Sequence, residues 1–79
     1  MKVHVSLYAS LASRLPPGCK GNACTLDLDD GTAISGLLDQ LQIAIEEPKI
    51  IFLNGIHARL GDVLKDSDRI AIFPPIAGG

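Results

Sequence analysis

Thr25-Leu26-Asp27-Leu28-Asp29-Asp30-Gly31-Thr32, running on into Ala33-Ile34-Ser35-Gly36-Leu37-Leu38-Asp39-Gln40-Leu41, is where the pattern of this chain changes period. Over Thr25 to Asp29 apolar and polar side chains alternate, as in a strand with one covered face. From Ile34 onward the apolar positions are Ile34, Leu37, Leu38, Leu41 and Ile45, a spacing that gathers all five on one stripe of an α-helix. Between the two lies Asp30-Gly31-Thr32, a turn followed by an N-cap, with the Thr32 hydroxyl expected to accept from an orphan amide of the first helical turn. Gly36 inside the helix costs up to about 1 kcal/mol against alanine, which suggests close packing there or plain tolerance. Pro48 closes the helical region.

Upstream, Val3, Val5 and Leu7 alternate with Lys2, His4, Ser6 and Tyr8, so residues 2–8 are a strand. Residues 16–23, Pro-Pro-Gly-Cys-Lys-Gly-Asn-Ala, form a loop that turns this strand back onto residues 25–29 as a hairpin. Downstream, residues 49–53 are rich in β-branched and aromatic side chains and form a strand that leads into Asn54-Gly55, a strong turn signal, with Ile56 and His57 as a short return arm. Asp62 to Asp68 is a polar turn region, and Arg69 to Phe73 is a last strand stopped by Pro74-Pro75. A hairpin, one helix and further strands, without a repeating β-α-β-α rhythm, imply an α+β domain with the helix across one face of a sheet. Ile51, Leu53, Ile70, Ile72, Val3, Val5, Leu7, Leu26 and Leu28 would face the helix. Tyr8, Ile50, Phe52, Ala71 and Phe73 would face away, and these include all three aromatic residues of the chain. An apolar outer face of that kind marks a protein interface unless a loop folds over it.

Composition narrows the function. With 79 residues, 47% hydrophobic and 20% charged, the chain is one small folded domain. Seven Lys+Arg against nine Asp+Glu cannot supply the positive field that nucleic-acid binding uses. Its apolar runs, such as Ile50 to Leu53 and Ile70 to Phe73, are far short of the roughly 20 residues of a membrane helix. The polar alternation at Met1 to Ser6 is unlike a signal peptide, so a cytoplasmic location is expected. Cys19 and Cys24 form neither a disulfide framework nor, with His4 and His57, a zinc spacing; in a reducing compartment two thiols in a polar loop outrank a local disulfide. A domain this small spends its apolar residues on the core and has no Ser-His-Asp or Cys-His constellation, which favours a carrier or binding module over an enzyme. Asp27, Asp29 and Asp30 by the helix start read as capping and solvating groups.

The chain ends Phe73-Pro74-Pro75-Ile76-Ala77-Gly78-Gly79. Two prolines fix φ and take no ladder bond, so the chain leaves the sheet extended, and the residues from Pro74 to Gly79 reach at most about 20 Å. Two terminal glycines let a carboxylate enter a slot too narrow for any side chain.

This tail, the order of elements, Leu53-Asn54-Gly55 and Leu64-Lys65-Asp66-Ser67-Asp68-Arg69-Ile70 together resemble the ubiquitin-like sulfur carriers of the MoaD/ThiS type. The Phe-Pro-Pro-x-x-Gly-Gly ending is closer to the small subunit of molybdopterin synthase than to the thiamine carrier. The resemblance implies a β-grasp fold over residues 1–73, with a mixed sheet and one main helix, and an extended tail over 74–79. It implies that an adenylating enzyme uses ATP to activate the Gly79 carboxylate, next to Gly78, for conversion to a thiocarboxylate, while the chain binds no cofactor or metal itself. Tyr8, Phe52, Phe73, Pro74, Pro75 and Ile76 would meet the activating enzyme and then the large subunit of molybdopterin synthase, or another sulfur acceptor in thiamine thiazole, cysteine or tRNA thiolation. A protein modifier joined to lysines through Gly79 would share the activation step. The sequence departs from the family in three places. The basic residue common just after the first strand is replaced by Ala12 and Ser13, with Arg14 nearby; Arg69 stands where molybdopterin-type carriers tend to have an acidic residue; and Ser67 stands where they tend to have glycine.

Overall fold

Alternation in the opening segment translates directly into burial. In β1 (Lys2–Leu7) Val3, Val5 and Leu7 are buried while Lys2 and His4 are exposed. The computed structural model describes residues 1–48 and 50–75. In it β1 pairs antiparallel with β2 (Ala23–Asp27), setting Val3 opposite Leu26 and Lys2 opposite Asp27. Three more strands follow the helix: β3 (Ile50–Leu53), β4 (Ile56–His57) and β5 (Arg69–Phe73). β5 lies parallel to β1 and antiparallel to β3, giving a five-stranded mixed sheet of order β2-β1-β5-β3-β4. The α+β expectation therefore holds. Ile51, Ile70 and Ile72 join Val3, Val5, Leu7 and Leu28 beneath Ile34, Leu37, Leu38 and Leu41, with Leu26 and Leu53 half-buried at the margin.

The second strand begins and ends two residues earlier than its alternation suggests, and a disulfide sits at its start. Cys19 and Cys24 are joined, with Cα atoms 5.2 Å apart, which corrects the expectation of free thiols. The physical reason is the loop backbone. Gly18 (φ +92°) and Gly21 (φ +58°) adopt left-handed conformations that side chains disfavour, and Lys20 bridges back to Ala23. This folds the loop on itself and brings the two cysteines together.

The helix is also shorter and capped differently than expected. α1 spans Ile34–Gln40, with Ala33 rather than Thr32 at the N-cap. The Thr32 hydroxyl donates backward to the Asp29 carbonyl at 2.7 Å, and no side chain caps the first helical turn. The orphan amides of Ile34 and Ser35 donate instead to the Asp62 and Leu60 carbonyls, both at 2.9 Å. A loop distant in sequence thus performs the capping expected of Thr32. At the other end Gln42 is left-handed (φ +60°), Ile43 N–H donates to the Leu38 carbonyl and Gln42 N–H to the Asp39 carbonyl. That pair of bonds is a Schellman motif, which ends the helix before Ile45. Ile43 is buried in its place, and Ile45 is 55% exposed. A Cβ at Gly36 would stand 3.3 Å from the Thr32 methyl, so the glycine serves close packing.

Between the hairpin strands the chain forms a 3₁₀-helix, Ala9–Arg14, which buries Leu11 in the core. Arg14 spans from it to the turn after α1, donating to Glu47 at 2.8 and 3.0 Å and to the Gln42 carbonyl at 2.6 Å. The Arg14 hydrogen bonds, aided by the Ala44 amide, hold the Glu47 carboxyl below its ordinary range.

Candidate functional site: an aromatic sheet face beside the tail

Because side chains alternate along β5, burying Ile70 and Ile72 obliges Arg69, Ala71 and Phe73 onto the face without the helix. The register then builds a patch. Phe73 is opposite Ile50, and Ala71 is opposite Phe52 on β3 and beside Ser6 on β1. Phe52 in turn is opposite His57 on β4. The rings make an ordered set: Tyr8 stacks on Phe73 with centroids 4.3 Å apart and planes 8° from parallel, and Phe52 meets Phe73 edge to face at 6.0 Å. His57 stands edge to face on Phe52 at 4.7 Å. Such aromatic pairs are worth about 0.5–1.5 kcal/mol each beyond the area they bury.

Tyr8 lies one residue past β1, still tied to the sheet by its amide to the Ile72 carbonyl at 3.1 Å. It is 37% exposed, while Phe52 and Phe73 are half-buried. Ala9 immediately after it takes φ +52°, a left-handed turn costing about 1–2 kcal/mol in a residue with a Cβ. That turn sends the chain off into the 3₁₀-helix and leaves the Tyr8 ring on Phe73. The sequence therefore placed the aromatic trio on one face correctly, and the structure brings all three together. Pro74 is half-buried beside them and Pro75 is exposed, so the tail departs from the edge of the patch. Ile76, Gly78 and Gly79, the other residues expected at the site, lie outside the described residues.

Two features went unread in the sequence. One is a shallow groove of about 360 Å³ running from Phe73 and Phe52 over Ala71 to Gly55 and Arg69. The other is His57, which completes the aromatic edge. Both follow from strand register: Arg69 shares its face with Phe73 by the period of two, and the Asn54-Gly55 turn folds His57 back onto Phe52. Asn54 (φ +52°) and Gly55 (φ +82°) are both left-handed, as the tight hairpin turn requires. Among the described residues no group of three His, Cys, Asp or Glu side chains could hold a metal ion, and no helix is long and apolar enough to cross a membrane.

A mixed sheet with one helix on one face, an aromatic patch on the other and a Pro-Pro tail leaving beside that patch defines a ubiquitin-like β-grasp domain. The ThiS family model matches residues 19–79, and the chain belongs to the ThiS family, a class of ubiquitin-like sulfur carriers. Solved structures show the same fold at low identity. SAMP1 from Haloferax volcanii matches with a TM-score of 0.71 at 22% identity, covering 100% of both chains. A putative molybdopterin converting factor subunit 1 from Pyrococcus furiosus matches with a TM-score of 0.69 at 22% identity, over 95% of this chain and 98% of that one. A complex of subunits 1 and 2 of molybdopterin-converting factor from Helicobacter pylori matches with a TM-score of 0.62 at 24% identity, covering 100% of both chains. No curated protein matches the chain by sequence.

Proposed function

We propose that this chain carries sulfur on its C-terminal Gly79 and delivers it in molybdopterin biosynthesis. The observation that carries the reading is the aromatic face of Tyr8, Phe52 and Phe73 next to Pro74-Pro75, the residues that precede the Gly78-Gly79 ending in the sequence. In this reading an adenylating enzyme grips the sheet face and uses ATP to convert the Gly79 carboxylate to an acyl-adenylate, releasing pyrophosphate. A sulfur donor then displaces AMP to leave the thiocarboxylate, and the large subunit of a molybdopterin synthase takes the same face and tail in turn. The chain's own part is to present a rigid docking surface and an extended, side-chain-free end. In this reading the chain works in the cytoplasm, between cytosolic enzymes. A complex of subunits 1 and 2 of molybdopterin-converting factor among the similar folds supports the synthase partner.

A protein-modifier role is the second reading, favoured by the likeness to a small archaeal modifier protein over 95% of this chain. Thiamine thiazole, cysteine or tRNA thiolation are further acceptors for the carrier. All share the first chemical step, so deletion of Gly79 should abolish ATP–pyrophosphate exchange by the adenylating enzyme while the fold stays intact; unchanged exchange would sink carrier and modifier together. Intact mass of the protein from its native host separates the outcomes, since a carrier shows an oxygen-to-sulfur gain. A modifier leaves Gly-Gly remnants on lysines of digested cell protein.

A further inference from the structure

The groove beside the aromatic patch has one end that is not apolar. Its floor is Ala71, its walls are Phe52 and Phe73, and its far end is Arg69, which is exposed. Among the described residues the Arg69 guanidinium has no ion-pair partner, whereas Arg14 and Lys2 both do. The carboxylate next to it in sequence is already occupied: Asp68 accepts from Asn54 Nδ2 at 2.9 Å and from the Lys65 amide at 2.8 Å. Asp27, on β2 at the opposite edge of the sheet, pairs with Lys2 Nζ and the N-terminal amine, each at 3.5 Å. Those two cations hold the Asp27 carboxyl below its ordinary range, Lys2 contributing most. His4 stands beside Arg69 in the parallel register and His57 borders Phe52. A chain with a net charge of −2 thus turns one guanidinium without an ion-pair partner among the described residues outward in the groove beside its aromatic patch.

We infer that this groove docks an acidic loop of the adenylating enzyme, with an Asp or Glu carboxylate on the Arg69 guanidinium and an adjoining apolar side chain seated on Ala71 between Phe52 and Phe73. The inference rests on the carrier reading and adds to it the chemistry of the partner. The fit is specific in two ways. A guanidinium offers paired donors that match a carboxylate, and the aromatic side chains further along the groove offer an apolar neighbour a seat beside that pair. A partner presenting Lys or Arg at the same place would meet like charge and be rejected, so Arg69 selects among enzymes that could all accept a Gly-Gly tail.

The test uses the full chain and the adenylating enzyme of the same organism in ATP–pyrophosphate exchange. Arg69→Glu should raise the KM for the carrier about tenfold with kcat unchanged, because the charge acts in docking and not at the tail. Arg69→Lys should recover most of the loss, and Arg69→Ala should flatten the rise of KM with salt that the wild type shows. A merely structural role for Arg69 would lower the melting temperature without changing that salt dependence, and this outcome overturns the inference. So does an unchanged KM in Arg69→Glu while the wild type exchanges normally. Absence of exchange by the wild type would instead overturn the carrier reading itself, and the docking inference with it.

Discussion

Replacing Phe73 by alanine separates the two roles a half-buried aromatic can play. Fully burying a phenylalanine is worth about 1.5–3 kcal/mol, and Phe73 is half-buried, so its area contributes about 1 kcal/mol to folding. The Tyr8 stack and the Phe52 edge contact add about another 1 kcal/mol between them, less than their full pairwise worth because both rings remain partly wet. Phe73→Ala should therefore cost about 2 kcal/mol of folding free energy, below the roughly 3–5 kcal/mol of a phenylalanine in a closed core. A domain of this size holds on the order of 4–12 kcal/mol, so the variant stays folded. Its KM for the adenylating enzyme should rise about 30-fold, the effect of losing an anchor worth about 2 kcal/mol. Urea unfolding gives the first number and pyrophosphate exchange the second. A double-mutant cycle with Tyr8→Ala adds an internal control: the two side chains should couple by about 1 kcal/mol in folding. Loss of 3 kcal/mol or more of stability with KM unmoved would make Phe73 a core prop and refute the reasoning; coupling near zero would refute the stack.

Three other perturbations test the fold that carries this face. The Cys19–Cys24 bond closes a loop with a sequence separation of only 5, for which chain entropy gives about 2 kcal/mol. Cys19→Ser with Cys24→Ser should lower the melting temperature by roughly 8–16 °C, and an unchanged melting curve would show that the bond contributes nothing. Gln42→Gly at the left-handed helix end should raise stability by about 0.5–1 kcal/mol in urea unfolding, since only the side chain's Cβ opposes φ +60° there; a loss would contradict the Schellman assignment. Glu47 has its carboxyl pKa depressed by Arg14, so its contribution is present above the ordinary value of 4.5 and is lost as pH falls through the lower folded value. Glu47→Gln should flatten the acid limb of the stability curve below that point, and parallel curves for variant and wild type would disprove the link.

What could be read from the sequence was the part governed by period. Alternation in β1, β3 and β5 named the core and the outward aromatics together, because a strand has only two faces and the apolar helix stripe claims one of them. What could not be read was governed by backbone closure. Thr32 has the chemistry of an N-cap, yet the amides it was expected to serve are met by carbonyls at residues 60 and 62, far away in sequence, while its hydroxyl donates to the Asp29 carbonyl. Ile45 fits the helical stripe, yet Gln42 turns the chain first, without the glycine that usually announces such a stop. The Cys19–Cys24 pairing depended on two glycines in left-handed geometry, and the 3₁₀-helix on a left-handed Ala9, neither of which carries a pattern of its own.

The candidate site depends on the same register that sets the core, and one side chain secures both. Asn54 at the end of β3 accepts the Arg69 amide on Oδ1 at 2.9 Å, donates from Nδ2 to Asp68, and gives its own amide to the Arg69 carbonyl at 2.7 Å. Two of these bonds pin the first residue of β5 to the β3 turn, and the third holds the residue before it. A slip of one residue at that point would carry Ile70 and Ile72 to solvent and Arg69 and Phe73 into the core, so the hydrophobic effect and the Asn54 clamp favour the same alignment. Asn54→Ala should therefore weaken folding and docking together, unlike Arg69→Glu, which should touch docking alone. A domain with so little interior cannot build a pocket apart from its core. It places the docking face and the core on alternate residues of one strand, and the Pro-Pro tail begins where that strand stops.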